Sequence, residues 1–129
     1  MEPASHSSRQ FIAAVFLADV PRIASLLRFS PHLAHDRFAR GDTALHHASR
    51  NGDTVVVSAL VSGGSDPNAI SDVKQFPLYC AAGHGHVDTV SCLLSLGADP
   101  TLQLEDGKTV AEWLKPFVDR DARFARASK

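Results

Sequence analysis

An offset of 33 residues lays one stretch of this chain over another. Gly41-Asp-Thr-Ala-Leu-His-His-Ala-Ser-Arg-Asn-Gly-Asp53 falls on Lys74-Gln-Phe-Pro-Leu-Tyr-Cys-Ala-Ala-Gly-His-Gly-His86. The same offset pairs Leu60 with Leu93, Gly64 with Gly97, Asp66 with Asp99 and Pro67 with Pro100, and carries Thr43 through Phe76 to Thr109. Backwards, an offset of 34 sets Leu45 on Phe11, Ala48 on Ala14, Asp53 on Asp19 and Leu60 on Leu26. A fixed period of this length constrains the fold more than any composition does. Each unit is a supersecondary piece that cannot bury its apolar face alone, so the units must stack. The spacing divides the chain into units over about 9–38, 39–71, 72–104 and an abbreviated 105–118. A flexible tail over 1–8 precedes them, and a charged tail or short capping helix over 119–129 follows.

Within a unit the pattern reads helix, turn, helix, then a protruding loop. Thr43 caps a first helix through its hydroxyl, and Pro77 suits a first helical position, where its missing N–H costs nothing. Thr109-Val-Ala-Glu112 has the form of a capping box. First helices are therefore expected to begin near 10, 43, 76 and 109. Ala48-Ser49 and Ala81-Ala82 let them pack closely, and Gly52 and Gly85 stop them. Val56, Val57, Leu60 and Val61, matched by Thr89, Val90, Leu93 and Leu94, give the second helices a wide apolar stripe. The predicted fold is an all-α solenoid of stacked helix-turn-helix units with hairpin-like loops.

Thr43-Ala-Leu-His46, Phe76-Pro-Leu-Tyr79 with Ala81-Ala82, Gly85-His86 and Gly97-Ala-Asp-Pro100 resemble the ankyrin-repeat signature, over about residues 8–118. Three positions depart from that pattern and put local turns in question: Phe76 stands for Thr, Lys74 for the turn Gly, and Ser30 where Gly64 and Gly97 close later units. The resemblance implies a binding role exercised by a concave face of loop tips and first helices. At the tips it assigns Arg40 and Asp42, then Val73, Lys74 and Gln75, then Asp106 and Lys108. Along the helices it assigns Phe16, Leu17, His47, Arg50, Asn51, Cys80 and His84, with Arg50 and His47 central. Trp113 reads either as such a contact or as packing for the last unit.

Charge bears on the class of partner. The chain's formal net charge of −1 hides an acidic middle, nine acidic against three basic residues over 41–114. Phosphate binding needs a continuous basic face, so nucleic acid is not expected. Neither Met1–Arg9 nor the apolar Phe11–Val20, which is followed by Pro21, has the length of a secretory or membrane segment, and no membrane partner is expected. Cys80 and Cys92 read as unpaired small residues of a reducing compartment, which places the protein in the cytoplasm with nuclear entry left open.

Seven His residues invite a metal or catalytic reading. His46 and His86 sit where ankyrin repeats keep a His for backbone hydrogen bonds. His47 and His84 lack a Cys or carboxylate at ligand spacing, so no metal is expected. Cys80 with His47 or His84 lacks the oxyanion site and enclosure that nucleophilic catalysis requires. No enzyme activity, cofactor or small-molecule substrate is therefore expected. The function read from the sequence is that of a protein-binding adaptor or regulatory subunit, monomeric on its own. An inhibitor or assembly chaperone that occludes a partner's surface is the alternative.

Overall fold

The computed structural model describes residues 6–103, 107–109 and 112. Among these residues the architecture is helical: α1 (His6–Phe16), α2 (Val20–Phe29), α3 (Ala44–Asn51), α4 (Thr54–Ser62), α5 (Pro77–Gly83) and α6 (Val87–Ser95). The helices form three antiparallel pairs in two layers, with α3 against α1 and α5, and α4 against α2 and α6. An isolated antiparallel bridge joins Gln103 to Thr109. No described helix is long and apolar enough to cross a membrane.

The second helices bury the expected stripe. Val56, Val57 and Leu60 of α4 and Thr89, Val90 and Leu93 of α6 are sealed from solvent, with Val61 and Leu94 packed at the margin. Asp53 starts α4 by accepting from the Val56 N–H at 3.4 Å, as Asp19 starts α2 by accepting from Arg22 N–H at 3.3 Å. In the first-helix layer Ala48, Ser49, Ala81 and Ala82 are buried, so small side chains do set the close approach of α3 and α5. Gly52 closes α3 with φ 72°, and a Cβ there would run into the His86 ring. That ring reaches the Arg50 carbonyl through Nε2 at 2.9 Å, so one glycine permits the hydrogen bond that fastens unit three to unit two.

His46 fastens the same units at the tip end. Its Nδ1 accepts from the Thr43 N–H at 3.0 Å, closing a capping box in which Thr43 receives the His46 N–H at 3.4 Å. Its Nε2–H donates to the Gln75 carbonyl at 2.9 Å; the tautomer is assigned from these partners. Between the loops, Asn68 accepts from the Asp99 N–H at 2.7 Å and donates to the Gly97 carbonyl at 3.2 Å.

Several local expectations are corrected or refined. α1 begins at His6 rather than near 10. α5 ends at Gly83 with His84 as its cap, and Gly85 follows with φ 75°. Lys74 keeps the turn that Gly41 makes, adopting φ 61° against 71° for the glycine, and Arg40 beside it adopts 64°. Ser30 does not copy Gly64: its φ is −137°, and the chain passes into a 3-10 turn over Pro31–His35 that drives Leu33 and Ala34 into the core. Phe76 supplies no side-chain cap, and Pro77 opens α5 instead. Glu112 accepts from the Thr109 N–H at 3.0 Å and Thr109 from the Glu112 N–H at 3.1 Å, the expected capping box. Pro116, Trp113 and the tail over 119–129 lie outside the described residues.

Candidate binding face

The first helices and the tips meet at an angle, and the side chains in that angle form a graded surface. At its apolar end Phe16 closes α1, 61% exposed, beside Leu17 at 78%. The Phe16 ring lies against His47 of α3, with centroids 4.4 Å apart and planes tilted by 46°. His47 is steadied from the other side by Asn51 at 3.0 Å. Burial, reinforced by the nearby Arg50 cation, lowers the His47 pKa, with Asp42 opposing. The ring is thus neutral near pH 7 and serves as a flat apolar partner for Phe16.

Arg50 lies one turn further along α3. Its guanidinium donates to Asp42 at 3.1 Å and reaches the Cys80 sulfur at 3.6 Å. Asp42 Oδ2 receives that bond, whereas Asp42 Oδ1 is buried without a partner among the described residues. Arg50 is therefore committed to holding the first tip against α3, in addition to any contact it offers. Cys80, expected on the binding surface, is only 3% exposed beneath Arg50 and Gln75. It supports the face without presenting an atom to a partner. Burial raises the thiol pKa, against the pull of Arg50, so the sulfur stays protonated.

His84 is exposed and donates to the Cys80 carbonyl through Nδ1–H at 3.0 Å. It lies parallel to His86 at 6.2 Å between centroids. Among the described residues no three His, Cys, Asp or Glu side chains converge as a metal site would require. At the tips Arg40, Val73, Lys74 and Lys108 are exposed, and Gln75 is half-buried with its N–H given to Ser71 Oγ at 3.2 Å. Asp106 and Trp113 fall outside the described residues.

The structure adds residues that the spacing did not single out. A groove of about 350 Å³ opens between α1, α3 and the first tip, lined by Ile12, Phe16, Phe38, Arg40, His47 and Arg50 among others. Ile12 was legible as the residue one turn before Phe16; Phe38 belongs to an irregular segment with no periodic signal. Arg37 fixes the tip by donating to the Gly41 and Ile70 carbonyls at 2.8 and 2.6 Å.

A family model described as ankyrin repeats (3 copies) matches residues 11–103. The chain belongs to the ankyrin-repeat family. Ankyrin repeats mediate protein–protein interaction, and the E3 ubiquitin-protein ligase XB3 of Oryza sativa subsp. japonica is 37% identical over 94 residues, 69% of this chain and 20% of that protein. The mouse 2-5A-dependent ribonuclease is 40% identical over 78 residues, 60% of this chain and 10% of the ribonuclease. The human protein phosphatase 1 regulatory subunit 27 is 33% identical over 76 residues, 59% of this chain and 49% of that subunit. The chain thus spans about a fifth of the rice ligases it resembles and about half of the phosphatase subunit. The matched stretches are of the length of the ankyrin stack, so the likeness carries no catalytic chemistry to this chain.

Proposed function

We propose that this chain binds a partner protein through the angle between its first helices and its loop tips, as an adaptor or regulatory subunit. One observation carries the reading: the large apolar groups Phe16 and Leu17 are exposed at the end of α1 next to a groove. Large exposed side chains grouped with polar neighbours mark interaction sites more often than scattered ones do, and aromatic and Arg side chains dominate binding energies. The surface is preorganised, because His47, Arg50 and Asp42 are already held by one another and by their neighbours, so little ordering remains to be done on association. The likeness to a phosphatase regulatory subunit supports the regulatory form of this role.

The test is capture of partners from cell extract by the wild-type chain, by Phe16→Ala/His47→Ala, and by Ser25→Ala/Ser62→Ala on the exposed side of α2 and α4. The reading expects the first double variant to lose the captured partner and the second to retain it. Retention by the first and loss by the second would place binding on the second-helix layer.

A further inference from the structure

Two clefts flank the first tip and share Phe38 and Arg40 as their dividing ridge. The cleft on the α1 side is the groove of about 350 Å³ that holds Phe16 and His47. The cleft on the far side, about 570 Å³, runs between the two tips and is bordered by Arg37, Asp72 and Lys74. Together the two are lined by four cations, Arg37, Arg40, Arg50 and Lys74, against two carboxylates, Asp42 and Asp72. This excess stands out in a chain whose formal net charge is −1.

Of the carboxylates, Asp42 is spent within the fold, paired with Arg50, whereas the exposed Asp72 carboxylate lies over Gly41. The tip cations are not spent in the same way: Arg40 and Lys74 are exposed and form no ion pair among the described residues. Both also hold left-handed backbone, φ 64° and 61°, where an L side chain is strained and glycine is not. At the position of Lys74 the repeat places glycine in the units on either side, Gly41 and Gly107. Two long cations are therefore kept where the backbone favours their absence, the pattern expected when a side chain serves a ligand instead of the fold.

We propose, resting on the binding reading above, that this surface takes an acidic, extended peptide segment of the partner, with one bulky apolar side chain seated beside Phe16 and Phe38 and its carboxylates on Arg40 and Lys74. The groove is at the lower end of the volumes that hold small ligands, enough for a side chain and too small for a folded surface element. The cations beyond the ridge lie along the path a strand leaving that groove would follow. A nucleic acid fits less well, because exposed Phe16 and Leu17 and the Asp72 carboxylate interrupt the basic track.

The experiment selects binders to the full chain from a phage-displayed library of random peptides, then measures the enriched sequences as synthetic peptides by fluorescence anisotropy. The proposal expects enrichment of Asp and Glu beside a single Phe, Leu, Trp or Ile. It expects affinity to fall at least about tenfold with Arg40→Gly/Lys74→Gly, and to fall as salt is raised. Glycine suits the backbone at both sites, so that variant keeps the tips folded, which thermal melting verifies. Enrichment of basic or uncharged sequences, no enrichment, indifference of the selected peptides to the glycine variant, or displacement of a peptide by oligouridylate would overturn it. If cellular capture still depends on Phe16 and His47 while any of these results is found, the binding face stands and the peptide chemistry falls.

Discussion

His46 ties fold to pH through two hydrogen bonds that only one protonation state can make. With Nδ1 accepting from Thr43 and Nε2–H donating to Gln75, the buried ring must be neutral. Desolvation, the largest cause, lowers its pKa from the ordinary 6.5, against the Gln75 carbonyl and Asp42, which raise it. The unfolded chain therefore binds the proton more readily than the folded one. The resulting stability is complete above about pH 6.5 and declines as pH falls from there towards the lower folded pKa. Urea unfolding at pH 7.5 and 5.5 is expected to show the loss, and His46→Gln to be weaker at the higher pH with a shallower slope; equal or greater stability in acid would contradict this. Lys74 offers a second residue-level test. Relieving its left-handed strain with Lys74→Gly is expected to raise stability by up to about 1 kcal/mol, the gain reduced by the freer unfolded chain. Ser49 offers a third: its hydroxyl is buried with no partner among the described residues, where unit three has Ala82. Ser49→Ala is expected to be neutral or to stabilise by about 1 kcal/mol, read from the melting temperature, since it removes an unsatisfied polar group.

The element scale is where periodicity made most of the structure legible. The stripes of α4 and α6, the Thr43 cap and the glycine stop of α3 follow from residue spacing, because a helix that packs on two neighbours must repeat its apolar positions. The site was less legible. Arg50 and His47 were visible as residues the repeat itself does not explain, but Phe38, which lines the groove, lies in a segment without period. Cys80 misled because helical register gives the direction of a side chain and not the depth at which a neighbour, here Arg50, covers it. Ser30 could not foretell the 3-10 turn, since that turn depends on Leu33 finding space between α1 and α2. The stripe itself is tested by truncation. Leu60→Ala and Leu93→Ala, both at fully buried sites, are each expected to cost about 2–5 kcal/mol. Melting within a degree or two of the parent, for both, would mean that the stripe is not the core.

Across the whole molecule, both helix layers hold the stack together, while the first-helix layer, with the tips, also carries residues that the stack does not need. Phe16 and Leu17 stay exposed, and the tips keep strained cations, although the same backbone would be better served by small or polar groups. Such a division fits a rigid frame with a preformed recognition side. Amide chemical-shift mapping of the isotope-labelled chain with a captured partner tests it most directly. Shifts are expected to concentrate on α1, α3 and α5 and on the tips around Arg40 and Lys74. Perturbation confined to α2, α4 and α6, with Phe16, His47 and the tips unmoved, would contradict it.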